Sequence, residues 1–315
     1  DLCIARGRGE YGLLLFGSGD WNDGMDNIGG ESVWLSWFFA CCVRRFSELL
    51  MSLCKPNSDK YRALAAEIGR AADSAWDGEW YLRGFWPDGA PLGSKSCGEC
   101  RIDSIAQSWA CFCAEAQNSR ADTALDSALR LLFDRERKII KLFDPPFCGG
   151  GRDPGYIRSY GAGFRENGGQ YTHAALWLAM ACLRRGRADD AWEILCALLP
   201  ENHDLREYLA EPFVLAADVC TAAGHEGEAG WTWYTGSAAW LYRAVLSLLG
   251  LEKRGSRVRL SALLGDWPEV SVEMKSGRSV YRLVCRADAR EVRLDGKLVD
   301  ADEIEMVDDG RNHEA

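Results

Sequence analysis

The sequence predicts a mainly α-helical protein, built from helical hairpins and followed by a small antiparallel β layer. Three observations carry that prediction. Apolar residues recur every three to five positions from Glu31 onward, several of the periodic stretches are joined by only a few residues, and after Gly250 the period falls to two. The first stretch, 31–53, spaces Trp34, Phe38, Cys41, Phe46, Leu49 and Leu53 along one helical face and stops at Lys55-Pro56-Asn57. Similar patterns predict helices over 59–76, 104–117, 121–142, 170–185, 188–199, 206–222 and 236–249. Arg184, Arg185 and Gly186 followed by Asp189 and Asp190 mark one joint, with bases closing a helix and acids opening the next. Short joints of this kind make antiparallel helix pairs. Two links, 77–102 and 143–169, are long and rich in Gly, Pro, Asp and aromatic residues, the composition of loops that carry function. Past Gly250, Val258/Leu260, Val270/Val272, Val280/Leu283/Cys285 and Val292/Leu294 read as short strands, with hairpin turns at Asp295-Gly296 and around Gly277. The reading divides the chain into a helical portion over 1–250, a β domain over 251–300 and a frayed acidic tail over 301–315.

Composition narrows the function. With 315 residues, 47% hydrophobic and 27% charged, the chain is long enough for a large core and is not a disordered sequence. Its 47 acidic against 37 basic residues, a net charge of -10, disfavour nucleic acid or an anionic membrane as the main partner. The uncharged stretch Val33–Val43 falls well short of the roughly 18 apolar residues of a membrane span. Thirteen cysteines, an odd number scattered through apolar patterns (Cys41, Cys42, Cys111, Cys113, Cys182, Cys196), read as buried thiols of a reducing, cytoplasmic protein. Cys97-Gly-Glu-Cys100 lacks the second pair a zinc site needs, so no metal is expected there. The chain opens on Asp1 with no leader pattern, which reads as an internal fragment.

Three segments carry chemistry. Gly17-Ser-Gly-Asp-Trp-Asn-Asp-Gly-Met-Asp26 packs three carboxylates and an indole into a Gly-rich loop. A plain turn would use the same residues, and calcium would need the EF-hand ligand order, which is missing. A flat apolar ring between acids suits a sugar, so carbohydrate is the better reading. Arg165-Glu-Asn-Gly-Gly-Gln-Tyr-Thr-His173 leads into a helix that is apolar nearly all round. His173 in its first turn is either structural or an anion ligand. Gly230-Trp-Thr-Trp-Tyr-Thr-Gly-Ser237 opens the last helix. Thr235 or Ser237 could simply cap it, yet a hydroxyl, a Gly N–H and a helix start together also cradle phosphate. No Gly-rich Lys loop of the nucleotide-binding kind is present, so inorganic phosphate fits better than a nucleotide.

Taken together these segments resemble glycoside hydrolase family 94, the inverting disaccharide and oligosaccharide phosphorylases, in particular the phosphorylase region of cyclic β-1,2-glucan synthases and the 1,2-β-oligoglucan phosphorylases. The likeness runs from residue 12 to about 250 and includes 30–38 (GESVWLSWF), 75–94 (AWDGEWYLRGFWPDGAPLGS), 99–110 (ECRIDSIAQSWA), 154–160 (PGYIRSY), 211–219 (EPFVLAADV) and 231–243 (WTWYTGSAAWLYR). The resemblance implies part of an (α/α)6 barrel, with Asp23 as the general acid and Trp21 and Asn22 lining the glucosyl site. It places Tyr160 and Arg165, with Glu166 beside them, toward the leaving sugar, and His173, Thr235 and Gly236 on phosphate. Asp103 and Gln107 are further sugar-binding candidates, although Ser104 and Gln107 also make a capping box. Because phosphate is itself the nucleophile, one acid suffices and neither metal nor organic cofactor is implied. A general acid must keep its proton, so Asp23 is expected to be shielded, by Trp21, and to lie near Asp20 or Asp26.

The chain departs from the family in lacking the amino-terminal sandwich, the early barrel helices and an upstream arginine and aspartate. It also has Gly161-Ala-Gly163, Gly227-Glu-Ala229 and Leu264-Gly265 where relatives differ. The expected partners are a β-glucan and phosphate, with a homodimer or a larger membrane synthase as the wider assembly and the cytoplasm, or the cytoplasmic face of a membrane, as the location. Two rivals remain: an inverting glycosidase with Asp20 or Glu166 as base, and a glucan-binding remnant without catalysis.

Overall fold

A computed structural model describes residues 2–261, 267–289, 291–299 and 303–315. After a four-residue turn, α1 (Leu2–Ala5), the helical part comprises α2 (Val33–Ser52), α3 (Ser58–Ser74), α4 (Ser104–Ala110), α5 (Asn118–Leu132), α6 (Thr172–Arg184), α7 (Ala188–Leu198), the short α8 (Leu205–Tyr208) and α9 (Thr235–Leu248). Among these, α2, α4, α6 and α9 pack side by side in that order, while α3, α5 and α7 back onto α2, α4 and α6. The result is an inner row of helices with an outer row behind it, the arrangement that helical hairpins produce when each buries one face. Among the described residues no helix is long and apolar enough to cross a membrane.

The inner helix α6 is buried on nearly every side, from Ala174 through Leu178 to Leu183, as its unbroken apolar run predicts. The outer helices are amphipathic: α5 hides Ala121, Ala124, Leu125, Ala128, Leu129 and Leu132 and exposes Thr123, Asp126, Arg130 and Leu131. In α2 the periodic apolar face is buried only at its start. Trp34, Trp37 and Ala40 are covered, while Phe46, Leu49 and Leu53, expected inside, stand exposed. The reason is length, since α4 has seven residues against twenty in α2 and runs out at roughly a third of its neighbour's rise.

Three helix boundaries differ from expectation. The 104–117 segment ends at Ala110 because Phe112 and Cys113 turn back to Trp109 and Ala110 in tight i+3 bonds, and the Gln117 N–H turns away to Asp73. The 121–142 segment stops at Leu132, where Phe133–Asp134 and Ile139–Ile140 form a hairpin whose turn puts Lys138 at φ 58°. The 206–222 segment is a single helical turn. Leu209 adopts φ 56°, Pro212 follows, and the apolar run ends in Asp218–Val219, a strand paired with Gln170–Tyr171.

Short extended pairs, not foreseen, precede three of the inner helices: Glu31–Ser32, Ile102–Asp103 and Gln170–Tyr171. The cysteines are all free thiols, though Cys42, expected inside, is exposed.

Beyond Gly250 come strands 251–254, 257–260, 269–276, 279–286, 292–294 and 297–299. The hairpin at Asp295-Gly296 joins the last two, and the turn at Gly277 joins 269–276 to 279–286. Two corrections apply here. The tail is not frayed: Ile304–Glu305 pairs with 257–260, and Asn312–Glu314 pairs with 279–286, because Ile304 and Met306 bury apolar side chains beside Val258, Tyr281 and Leu283. The layer is also not purely antiparallel, since Asn312–Glu314 runs parallel to its neighbour. Residues 264–265, where the sequence departs from its relatives, lie outside the described residues.

Candidate active site

The acid loop is a tight fold. Gly19 has φ 95°, and a Cβ there would lie 2.8 Å from the Asp23 Cα, so the chain doubles back on itself between these positions. Its three carboxylates consequently diverge. Asp20 points inward with no exposed side-chain surface. Asp26 accepts the Tyr156 N–H at 3.0 Å, and the Gly24 carbonyl accepts the Ile157 N–H at 2.8 Å, so the 153–157 loop is clamped onto the acid loop. Asp23 is exposed, with the Tyr156 phenol beside it, and partial desolvation together with that carboxylate raises the phenol's pKa. The expected shielding of Asp23 is therefore not seen. Trp21 turns the other way, and both neighbouring acids are engaged elsewhere.

Trp21 packs its ring against Tyr171, His173 and Trp177, at centroid distances of 5.3, 5.5 and 5.2 Å. Asn22, next to it, is 1% exposed, and neither amide atom has a hydrogen-bond partner among the described residues. The same holds for His173 Nε2 and for the indole nitrogens of Trp34, Trp109 and Trp177, whose rings adjoin one another. Buried polar atoms without partners carry a cost that a polar ligand removes.

Asp103 and Gln107 spend their hydrogen bonds on the scaffold. Asp103 Oδ1 caps α4 by accepting the Ile105 N–H at 2.9 Å, and its Oδ2 accepts from Arg83 Nε at 3.0 Å. Burial pushes its pKa up to about 6 against the pull of Arg83. Gln107 accepts the Tyr81 N–H at 2.8 Å and donates to the Tyr81 and Asp103 carbonyls, both at 2.9 Å. Their hydrogen-bonding capacity is used within the scaffold, and the cap is Asp103 rather than the expected Ser104.

The start of the second motif gathers against Tyr160. Asn167 accepts the Phe147 N–H and donates to the carbonyls of Phe147 and Tyr160, at 2.8, 3.0 and 2.9 Å, which fixes the turn. Arg165, at φ 49°, lays its guanidinium over the rings of Tyr160 and Trp231 at 4.9 and 5.4 Å and bonds Glu166 at 3.3 Å.

His173 joins the second motif to the first and third. Besides Trp21, it contacts Trp177 and Trp240, and a Cβ on Gly236 would stand 3.0 Å from its Nδ1. Desolvation pushes its pKa down to about 4, so it is neutral at pH 7. The helix starts differ in a way that bears on ligands. Ser32 and Asp103 cap α2 and α4 through their side chains, whereas the cap positions of α6 and α9 are Tyr171 and Tyr234 and give no side-chain bond. Neither Thr235 nor Ser237 takes the capping place, and Thr235 is exposed at the start of α9. Two helix starts without side-chain caps thus meet at His173 and Gly236, with backbone donors and dipoles that favour an anion.

Sequence reasoning missed Arg83, Tyr156 and Trp177. The signals for Arg83 were its place in a long Gly- and aromatic-rich loop and in the 75–94 string that carries the resemblance, neither of which assigns it a partner. Nothing in the sequence linked Tyr156 to Asp23 across the intervening helices.

The model of the glycosyl hydrolase 94 superfamily catalytic domain matches residues 4–250, and the chain belongs to that family. Cyclic beta-(1,2)-glucan synthase NdvB of Rhizobium meliloti (strain 1021) is 42% identical over 92% of the chain, which covers 11% of that protein. Solabiose phosphorylase of Paenibacillus borealis is 28% identical over 97% of the chain and 42% of its own length. The N,N'-diacetylchitobiose phosphorylase of Vibrio proteolyticus is 27% identical over 87% of the chain and 35% of its own length. The chain thus spans less than half of each of these relatives. Among solved structures, a sialidase shares the fold at a TM-score of 0.56 and 11% identity, over 84% of this chain and 25% of that one.

Proposed function

We propose that this chain is the acid- and phosphate-bearing part of an inverting β-glucoside phosphorylase, that its helices form part of an (α/α)6 barrel, and that its substrates are β-1,2-linked glucooligosaccharides. One observation carries the reading: Trp21 of the acid loop stands 5.5 Å from His173, which abuts Gly236 where the starts of α6 and α9 meet. That contact ties the acid loop, through Trp21, to the place proposed for the anion. Membership in a family with phosphorylases supports the reaction, and the likeness to a glucan synthase supports the linkage.

In the reaction, Asp23 gives its proton to the glycosidic oxygen as the bond from that oxygen to the anomeric carbon breaks. A hydrogenphosphate oxygen, held by Thr235, the Gly236 N–H and His173, bonds the same carbon from the opposite face. The proton on hydrogenphosphate balances the one passed to the leaving sugar, and α-glucose 1-phosphate results. Neutral His173 donates one N–H to the anion, and the anion's charge then favours its protonation. Asn22 would spend its amide on the glucosyl hydroxyls, while Tyr160, Arg165 and Glu166 would meet the leaving sugar. Asp20, held by Arg83, is poorly placed to serve as the base of a hydrolase. As part of a larger polypeptide, the chain would work at the cytoplasmic face of a membrane.

The test supplies a β-1,2-glucooligosaccharide to the full-length protein with and without phosphate. Phosphate-dependent glucose 1-phosphate, lost in Asp23→Asn, supports the reading. Glucose released equally in both conditions would replace it with hydrolysis, and oligosaccharide binding without turnover would leave only a glucan binder.

A further inference from the structure

Arg83 is wholly buried, although an arginine in a Gly-rich loop is ordinarily solvated. Its backbone is fixed on both sides: its carbonyl accepts the Val33 N–H at the start of α2, and its own N–H donates to Leu92 O. The guanidinium then spreads its fork over three partners. Nε reaches Asp103 Oδ2 at 3.0 Å, Nη1 reaches Ser32 Oγ at 3.2 Å, and Nη2 reaches Asp20 Oδ1 at 2.6 Å. Ser32 and Asp103 are the caps of α2 and α4, so a single side chain ties two inner-helix starts to the acid loop.

The link continues to the reacting group. Asp20 Oδ2 accepts the Ser32 hydroxyl at 2.7 Å, while Asp20 Oδ1, already bonded to Arg83, accepts the Asn22 N–H at 3.0 Å. Asn22 precedes Asp23, and the Gly19 turn closes the loop against the Asp23 backbone. We infer that Arg83 is a positioning residue that sets where Asn22 and Asp23 stand by holding Asp20, an inference that rests on the phosphorylase reading above. A planar fork suits this better than a compact ammonium, because each of the three acceptors is met by a different guanidinium nitrogen. A purely architectural role would also account for burial, but it would not single out proton donation.

Leaving-group chemistry separates the two roles. In the full-length protein, phosphorolysis of a β-1,2-glucooligosaccharide requires a proton on the departing oxygen, whereas β-glucosyl fluoride departs as fluoride with little help. Asp23→Asn should lose at least about 100-fold on the oligosaccharide and far less on the fluoride. Arg83→Lys should show the same bias, about 10- to 100-fold on the oligosaccharide and a clearly smaller loss on the fluoride, whose glucosyl hydroxyls Asn22 also meets. Asp20→Asn, which keeps the shape of the side chain, carries the same comparison if Arg83→Lys does not fold. Equal losses on both donors, or none, would overturn the positioning role and leave the phosphorylase reading intact. An Asp23→Asn variant that does not discriminate between the donors would overturn both, because it removes the acid that Arg83 is argued to position.

Discussion

His173 and Gly236 meet across the first turns of α6 and α9, so closely that a methyl group on Gly236 would sit 3.0 Å from His173 Nδ1. That approach brings two helix starts without side-chain caps onto one spot. Gly236→Ala should therefore raise KM for phosphate about tenfold or more while leaving KM for the glucan little changed. Initial rates against phosphate at saturating oligosaccharide check this, and an unchanged phosphate KM would place the anion elsewhere.

His173 also predicts a pH dependence. Its folded pKa lies near 4 because burial disfavours the imidazolium, below the ordinary 6.5 of the unfolded chain. Between these values the unfolded state binds more protons, so its contribution to stability is full above about pH 6.5 and is lost as pH falls toward 4. Denaturant titrations of wild type and His173→Gln over pH 8 to 4 should differ in slope by up to about 1.4 kcal/mol per pH unit in that window. Saturating phosphate should flatten the difference.

Gly19→Ala forces a left-handed backbone on a residue with a Cβ and drives that Cβ into the Asp23 backbone. The expected cost is about 1–3 kcal/mol of stability, with a fall in kcat because the acid loop must reopen. Thermal unfolding and kcat measured on the same preparation give both numbers.

Asp103→Ala tests the reassignment of that residue from sugar ligand to scaffold. It removes the cap of α4 and one of the carboxylates that hold buried Arg83, a loss of about 3–5 kcal/mol. The glucan KM of the folded fraction should stay near the wild-type value, and a large rise would return Asp103 to the binding site.

Removing residues 303–315 strips Ile304 and Met306 from the β layer's core and the strand 312–314 from the edge of 279–286. Limited proteolysis should then cut within 251–299 much faster than in the intact chain.

Much of this was legible in the sequence, because long helices with one apolar face announce themselves and the acid, arginine and threonine motifs are compact strings. The failures have local causes. The four charged residues Arg135–Lys138 pass for the wet face of a helix but make a hairpin turn, and the apolar run Val214–Val219 has helical composition yet follows Pro212 into a strand. For Asp103 and Gln107 the sequence left ligand and cap both open, because a polar residue looks the same in sequence whether it faces a ligand or clamps a backbone. Arg83 was invisible for a different reason: its partner Asp20 lies 63 positions away, and burial of a charge is decided by tertiary neighbours.

The buried apolar clusters of the helical and β parts have no member in common: Val258, Tyr281, Leu283, Ile304 and Met306 form one, and the other is built around Trp37, Trp177 and Leu178. Each part therefore has its own reason to stay folded, and heat need not undo both together. A single melting point would then average two events, and catalysis could vanish at a temperature where the carboxy-terminal layer still holds its shape.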